Sequence, residues 1–257
     1  MKKAYRYTSE KSDKFWRIER ADEVLVVNYG KIGTTGKYQV KEFATSQECE
    51  TAAKKLISAK IKKGYQAYLT FDYDEHFYFD DMEIGPHKLT SHPKFRKYFS
   101  ENFYYSCVDE EAPFGSDDGA DTLNLLQEEF RKRGSINFAD FPRKVIEEWW
   151  ETRYFPPKAE TRAELEKIIV DNEQHPMIST DFVTYAVAFA QIKITGKIDA
   201  KLKEDALFSM RRIEIIADIL GWSKEWFNKP EFHDFEIKEG ITSKMISDLE
   251  NFCEIKI

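Results

Sequence analysis

The stretch Asn28-Tyr29-Gly30-Lys31-Ile32-Gly33-Thr34-Thr35-Gly36 decides the reading of the first part of the chain. It follows the apolar run Val24-Leu25-Val26-Val27, which reads as a buried strand. It precedes Tyr38-Gln39-Val40-Lys41-Glu42-Phe43, whose alternation marks a half-buried strand. Two strands joined through glycines make a hairpin. Gly33 and Gly36 suit the positive φ of a tight or bulged turn, and Gly30 suits a close approach of backbone or ligand to the sheet. Tyr29, Lys31 and Lys37 add an aromatic ring and two cations to this turn.

Working outward, Tyr5-Arg6-Tyr7-Thr8 and Phe15-Trp16-Arg17-Ile18-Glu19 alternate in polarity, with Ser12-Asp13 as the expected turn between them. Thr45-Ser46-Gln47-Glu48 offers a capping box. Ala52, Ala53, Leu56, Ile57 and Ile61 then fall on one helical face, with Lys54, Lys55, Lys60, Lys62 and Lys63 outside that stripe. Gly64 stops the helix, and Gln66 to Phe71 return as a last strand. These spacings predict a small antiparallel sheet of about four strands with one helix across it. Such a helix covers one sheet face and leaves the other, with the hairpin, free to bind.

Residues from about Tyr5 to Tyr65 resemble a WGR domain, the module named for a Trp-Gly-Arg triplet. It occurs in DNA-dependent poly(ADP-ribose) polymerases and in bacterial proteins often labelled molybdate metabolism regulators. The resemblance rests on Lys14-Phe15-Trp16-Arg17-Ile18, on Gly30-Lys31-Ile32-Gly33-Thr34 with Gly36, on Phe43, and on Lys60-Ile61-Lys62-Lys63-Gly64-Tyr65. The triplet itself is altered: Tyr29 stands in place of Trp and Lys31 in place of Arg, so stacking surface and guanidinium contacts are reduced. In those polymerases the triplet's Trp lies against the terminal nucleotide of a DNA break. The resemblance gives that role to Tyr29.

Composition supports a globular chain of one or two domains: 257 residues, 42% hydrophobic and 15% aromatic. The longest apolar stretch, Phe182 to Ile194, is broken by Thr184, Gln191 and Lys193, and Met1-Lys2-Lys3 leads into no apolar run. The sequence therefore predicts neither a membrane span nor a signal peptide. Cys49, Cys107 and Cys253 are far apart and lack metal spacing, which fits reduced thiols in a cytoplasmic protein. The net charge of −7 hides a division: through Tyr68 there are 15 Lys plus Arg against 8 Asp plus Glu, leaving 24 against 38 beyond. The division is what a basic module that meets a polyanion, joined to an acidic one that does not, would show; a lysine-rich helix face that is simply solvated gives the same count.

Beyond residue 70 the periodicity becomes helical. Helices are expected over Pro93 to Phe99, Thr122 to Arg133, Pro142 to Trp149, Ala163 to Asn172, Asp181 to Ile194, Ala200 to Leu220 and Thr242 to Cys253. A capping box at Thr161-Arg162-Ala163-Glu164 and stops at Gly134, Gly196 and Gly221 mark their ends. The loop from Cys107 to Thr122 gathers Asp109, Asp117, Asp118 and Asp121, carboxylates that could collect a hard cation, or of which Asp118 or Asp121 could cap the next helix. Its run Pro113-Phe114-Gly115-Ser116-Asp117-Asp118-Gly119-Ala120-Asp121 also resembles bacterial YfeS-like proteins. His76, His87, His92, His175 and His233 are scattered, and phosphate-loop, dinucleotide and nucleophile-elbow patterns are absent from the sequence. No cofactor is expected, and no counterpart of the polymerases' catalytic domain is recognisable.

The expected fold is α+β: a WGR-like sheet with one helix over residues 1–70, then an acidic, mostly helical domain over 71–257, divisible near 156 at Pro156-Pro157. Two readings of the hairpin stay open. In one, Tyr29, Gly30, Lys31, Lys37 and Lys41 contact nucleic acid, DNA ends or single strands, in a non-enzymatic regulatory protein. In the other, Tyr29 and Ile32 only pack in the sheet, the glycines only shape the turn, and the module docks a protein. A third expectation is a metal or substrate site at residues 109–121.

Overall fold

The computed structural model describes residues 1–221, 240–253 and 255–256. The chain divides into two compact units. The first comprises Met1–Arg96 with Lys193–Thr195, the second Lys97–Ile192 with Gly196–Ile257.

In the first unit β1 (Lys2–Ser9), β2 (Ser12–Ala21), β3 (Val24–Lys31), β4 (Lys37–Glu42) and the short β5 (Gln66–Ala67) form one antiparallel sheet in the order β4-β3-β2-β1-β5. The β1–β2 turn falls at Glu10-Lys11 instead of Ser12-Asp13, because Asp13 is held within the ladder as the bidentate partner of Arg6, at 2.8 and 2.5 Å. Helix α1 (Ser46–Lys62) starts at Thr45, whose hydroxyl accepts from the Glu48 amide at 3.2 Å. Gly64 follows its end with φ 86°.

Side chains alternate across the strands, so the two sheet faces have separate cores. Tyr5, Trp16, Ile18, Leu25 and Val27 pack with Cys49 and Ala53 of α1. The other face carries Phe15, Arg17, Glu19, Asn28, Tyr38 and Val40, all buried. The expectation that this face is free is overturned, because residues 71–96 cover it. The Phe15 ring lies 6.1 Å from Phe71 and 5.6 Å from His76, and the Arg17 guanidinium sits 4.5 Å over Tyr78. Arg96 reaches Glu19 at 2.7 Å, and the Asp81 carboxylate accepts from the Val40 amide at 2.8 Å. The buried Lys193 ammonium closes the unit on Asp80 at 2.5 Å, where Thr90 also donates at 2.6 Å.

The second unit is helical. Helix α2 (Pro93–Tyr98), which begins in the first unit, is followed by α3 (Asp117–Arg133), α4 (Phe141–Lys144) with a π-helical turn over Val145–Trp149, α5 (Arg162–Val170), α6 (Gln174–Thr195), whose last three residues belong to the first unit, α7 (Ala200–Leu220) and α8 (Ile241–Asn251). A minimal parallel pair, β6 (Ile198–Asp199) with β7 (Ile255–Lys256), completes it. The predicted stops at Gly134, Gly196 and Gly221 all take left-handed φ, at 77°, 67° and 73°. The Thr161–Glu164 capping box forms in both directions. Helix α6 begins seven residues earlier than expected, at Gln174, because Pro176 sits in its first turn, where a missing N–H leaves no bond unmade. Arg212 of α7 donates to both Asp181 oxygens, at 2.8 and 2.6 Å, and to Glu160, so its buried charge is fully engaged. No helix among the described residues is long and apolar enough to cross a membrane.

Candidate nucleic-acid interface

The β3–β4 turn is built from the inside. The Asn28 amide donates to the carbonyls of Thr35 and Lys37, at 3.1 and 3.3 Å, and so holds the turn onto the sheet. Its Oδ1 lies 2.8 Å from His76 Nε2 and accepts from Arg17 Nε at 3.4 Å. Tyr38 donates its hydroxyl hydrogen to the Phe77 carbonyl at 2.8 Å, so the proton between His76 and Asn28 belongs on Nε2. Burial lowers the His76 pKa to about 3, which keeps the imidazole neutral.

Gly33 and Gly36 take φ of 82° and 71°, as the turn requires. Gly30 makes room for the turn's own backbone: a Cβ there would lie 2.8 Å from Gly36 Cα and 2.9 Å from Thr34 Oγ1. Gly30 opposes Phe15 and belongs to the face that residues 71–96 cover.

The cations belong to the opposite face. Trp16 pairs with Tyr29 and Tyr29 with Lys37, while Tyr7 pairs with Lys14 and Lys14 with Lys31. Two adjacent rows, Tyr5-Trp16-Tyr29-Lys37 and Tyr7-Lys14-Lys31, therefore share the side on which α1 packs, and neither contains a carboxylate. Lys14, Lys31 and Lys37 are exposed, and Tyr29 is half-buried against the core beneath α1. Lys41 lies on the same side, four residues and thus about 13 Å along β4 from Lys37.

The end of α1 completes this corner. Lys60, placed outside the apolar stripe by the sequence reading, is half-buried: its ammonium lies 4.9 Å from the Tyr65 ring, 5.4 Å from Trp16 and 5.7 Å from Tyr29. Burial depresses its pKa, and the like charges of Lys63 and Lys14 depress it further. An anion entering here would relieve a repulsion already present. Lys14, Lys60, Lys63 and Tyr65 were not expected as site residues. Their signal was the alternation Lys14-Phe15-Trp16, which sets Lys14 on the Trp16 face, and the interval of four from Leu56 to Lys60, which puts Lys60 on the buried stripe.

The acidic loop has another construction. Ser116 caps α3, its hydroxyl accepting from the Gly119 amide at 3.0 Å, so neither Asp118 nor Asp121 is the cap. A Cβ at Gly115 would lie 1.8 Å from the Asp109 carbonyl oxygen, and one at Gly119 2.5 Å from that of Pro113. Backbone packing accounts for both glycines. Among the described residues no three His, Cys, Asp or Glu side chains are gathered as a metal site needs, so Asp109, Asp117, Asp118 and Asp121 do not converge. His233 lies outside the described residues.

A five-stranded antiparallel sheet with one helix and a glycine-shaped turn defines the class, and the WGR domain family model matches residues 2–72: the chain carries a WGR domain there. Over 252 residues it is 42% identical to the uncharacterized protein YfeS of Escherichia coli (strain K12), with 98% of each chain covered, and it belongs to the YfeS family. It is also 42% identical to YehF of the same organism over 59 residues, 23% of this chain and 22% of the other. A crystal structure from Bacteroides fragilis is 27% identical, covering 49% of this chain and 39% of its own, with a TM-score of 0.27, too low to relate the folds.

Proposed function

We propose that this protein binds nucleic acid, at DNA ends or on single strands, through the α1 side of its WGR domain, and that it acts by binding and regulation without catalysis. Lys14, Lys31 and Lys37 neutralise phosphates, Lys60 and Lys63 extend the positive surface, and the uncovered part of the Tyr29 ring supports a terminal base or sugar. Lys41 meets a phosphate further along the strand, and Gly30 serves by shaping the turn. Such a partner places the protein in the cytoplasm. The observation that carries this reading is the Lys60 ammonium, seated over three aromatic rings with Lys14 and Lys63 as its charged neighbours.

Titration of a fluorescent blunt duplex by anisotropy tests it. With at least these four phosphate contacts, affinity should fall at least about 150-fold between 50 and 200 mM salt. Lys31→Gln with Lys37→Gln should flatten that dependence and weaken binding at the lower salt. No binding at 50 mM salt, or an unchanged double variant, contradicts the reading.

A further inference from the structure

The outward face of α1 carries a second feature, which the turn does not explain. Thr51, Lys54, Lys55, Ser58, Ala59 and Lys62 line a shallow groove of about 430 Å³, and no carboxylate is among them. Thr51 gives its hydroxyl hydrogen to the Gln47 carbonyl at 2.8 Å, leaving the Ser58 hydroxyl and the lysines as donors into the groove. Ala59 and Ser58 keep the floor low. Lys54 is held by Glu50 at 2.6 Å, but both side chains are exposed, and such pairs are worth at most about 1 kcal/mol, so a phosphate competes well.

We infer that this groove takes the phosphate backbone of the duplex that flanks the end held at the β3–β4 corner. The inference rests on the nucleic-acid reading above and adds the form of the partner: double-stranded, with the footprint running from the corner along α1. Continuity supports it, because Lys62 adjoins Lys63, whose charge reaches Lys60, which in turn neighbours Lys14. Spacing supports it too. Lys54 to Lys62 spans about 12 Å of helix, and one strand of a duplex presents a phosphate about every 3.4 Å of axis, so three lysines face three or four phosphates.

The full-length triple variant Lys54→Gln, Lys55→Gln, Lys62→Gln tests this, since glutamine keeps the helix propensity of these exposed positions. With a 20-base-pair blunt duplex, its slope of log affinity against log salt should be shallower than the wild type's by about 2 to 3, at about 0.9 per phosphate contact. A single strand of four nucleotides, too short to leave the corner, should bind the variant and the wild type alike. An unchanged duplex slope in the triple variant, alongside weakened binding by Lys31→Gln with Lys37→Gln, overturns the extension and leaves the corner standing. Equal loss of the four-nucleotide strand also overturns it, since α1 would then act at the corner itself. Wild type that binds neither probe overturns both.

Discussion

Gly33 and Gly36 have similar dihedral angles and different surroundings. Nothing lies within 4 Å of a Cβ built on Gly33, whereas one on Gly36 would sit 2.7 Å from Phe15 Cζ and 2.8 Å from both Asn28 Nδ2 and the Tyr29 carbonyl. Gly33→Ala should therefore cost only the left-handed backbone, about 1 to 2 kcal/mol. Gly36→Ala should cost at least about 1 kcal/mol more through overpacking, as denaturant midpoints would report. Asn28 carries a comparable share: Asn28→Ala deprives the Thr35 and Lys37 carbonyls of their donor and should destabilise by about 2 to 3 kcal/mol. The glycines were legible as turn formers from their spacing. The role of Gly30 was not, because a glycine vacated for a ligand and one vacated for the chain's own backbone look alike in sequence.

Among elements, the strands, the helix stops and both Thr caps were readable, since each depends on residues close in sequence. The cover over the second sheet face was not. Residues from 71 on were read as the start of an acidic, mostly helical domain, yet Phe71, His76 and Tyr78 supply the aromatic rings that Phe15, Arg17 and Tyr38 need. This cover also makes the first unit sensitive to acid. The His76 pKa falls to about 3 on burial, and His87 and His92 are lowered by the same cause. The unfolded chain then takes up protons near the ordinary histidine pKa while the folded chain does not. Stability should consequently fall as pH drops from about 6.5 to about 3, by up to about 1.4 kcal/mol per pH unit for His76, with His87 and His92 acting in the same direction. His76→Gln, whose amide can still donate to Asn28, should show a shallower decline in urea midpoint over that range, and an equal slope would contradict the assignment.

At the scale of the molecule, a unit built from the first 96 residues is completed by three from much later in the chain. Lys193→Met leaves Asp80 buried without its ammonium and should cost about 3 to 5 kcal/mol, whereas the pair Asp80→Asn with Lys193→Met should recover much of it, as thermal unfolding would show. Charge division along the sequence pointed to a basic first module, and the register of β2, β3 and β4 with the end of α1 concentrates that charge at one corner. Amide chemical shifts of the isotopically labelled full chain, recorded while a short blunt duplex is added at 50 mM salt, read that corner most directly. Changes centred on Lys14 to Trp16, Tyr29 to Lys37 and Lys60 to Tyr65 are predicted. Changes centred on the second unit, or none at all, would contradict the account.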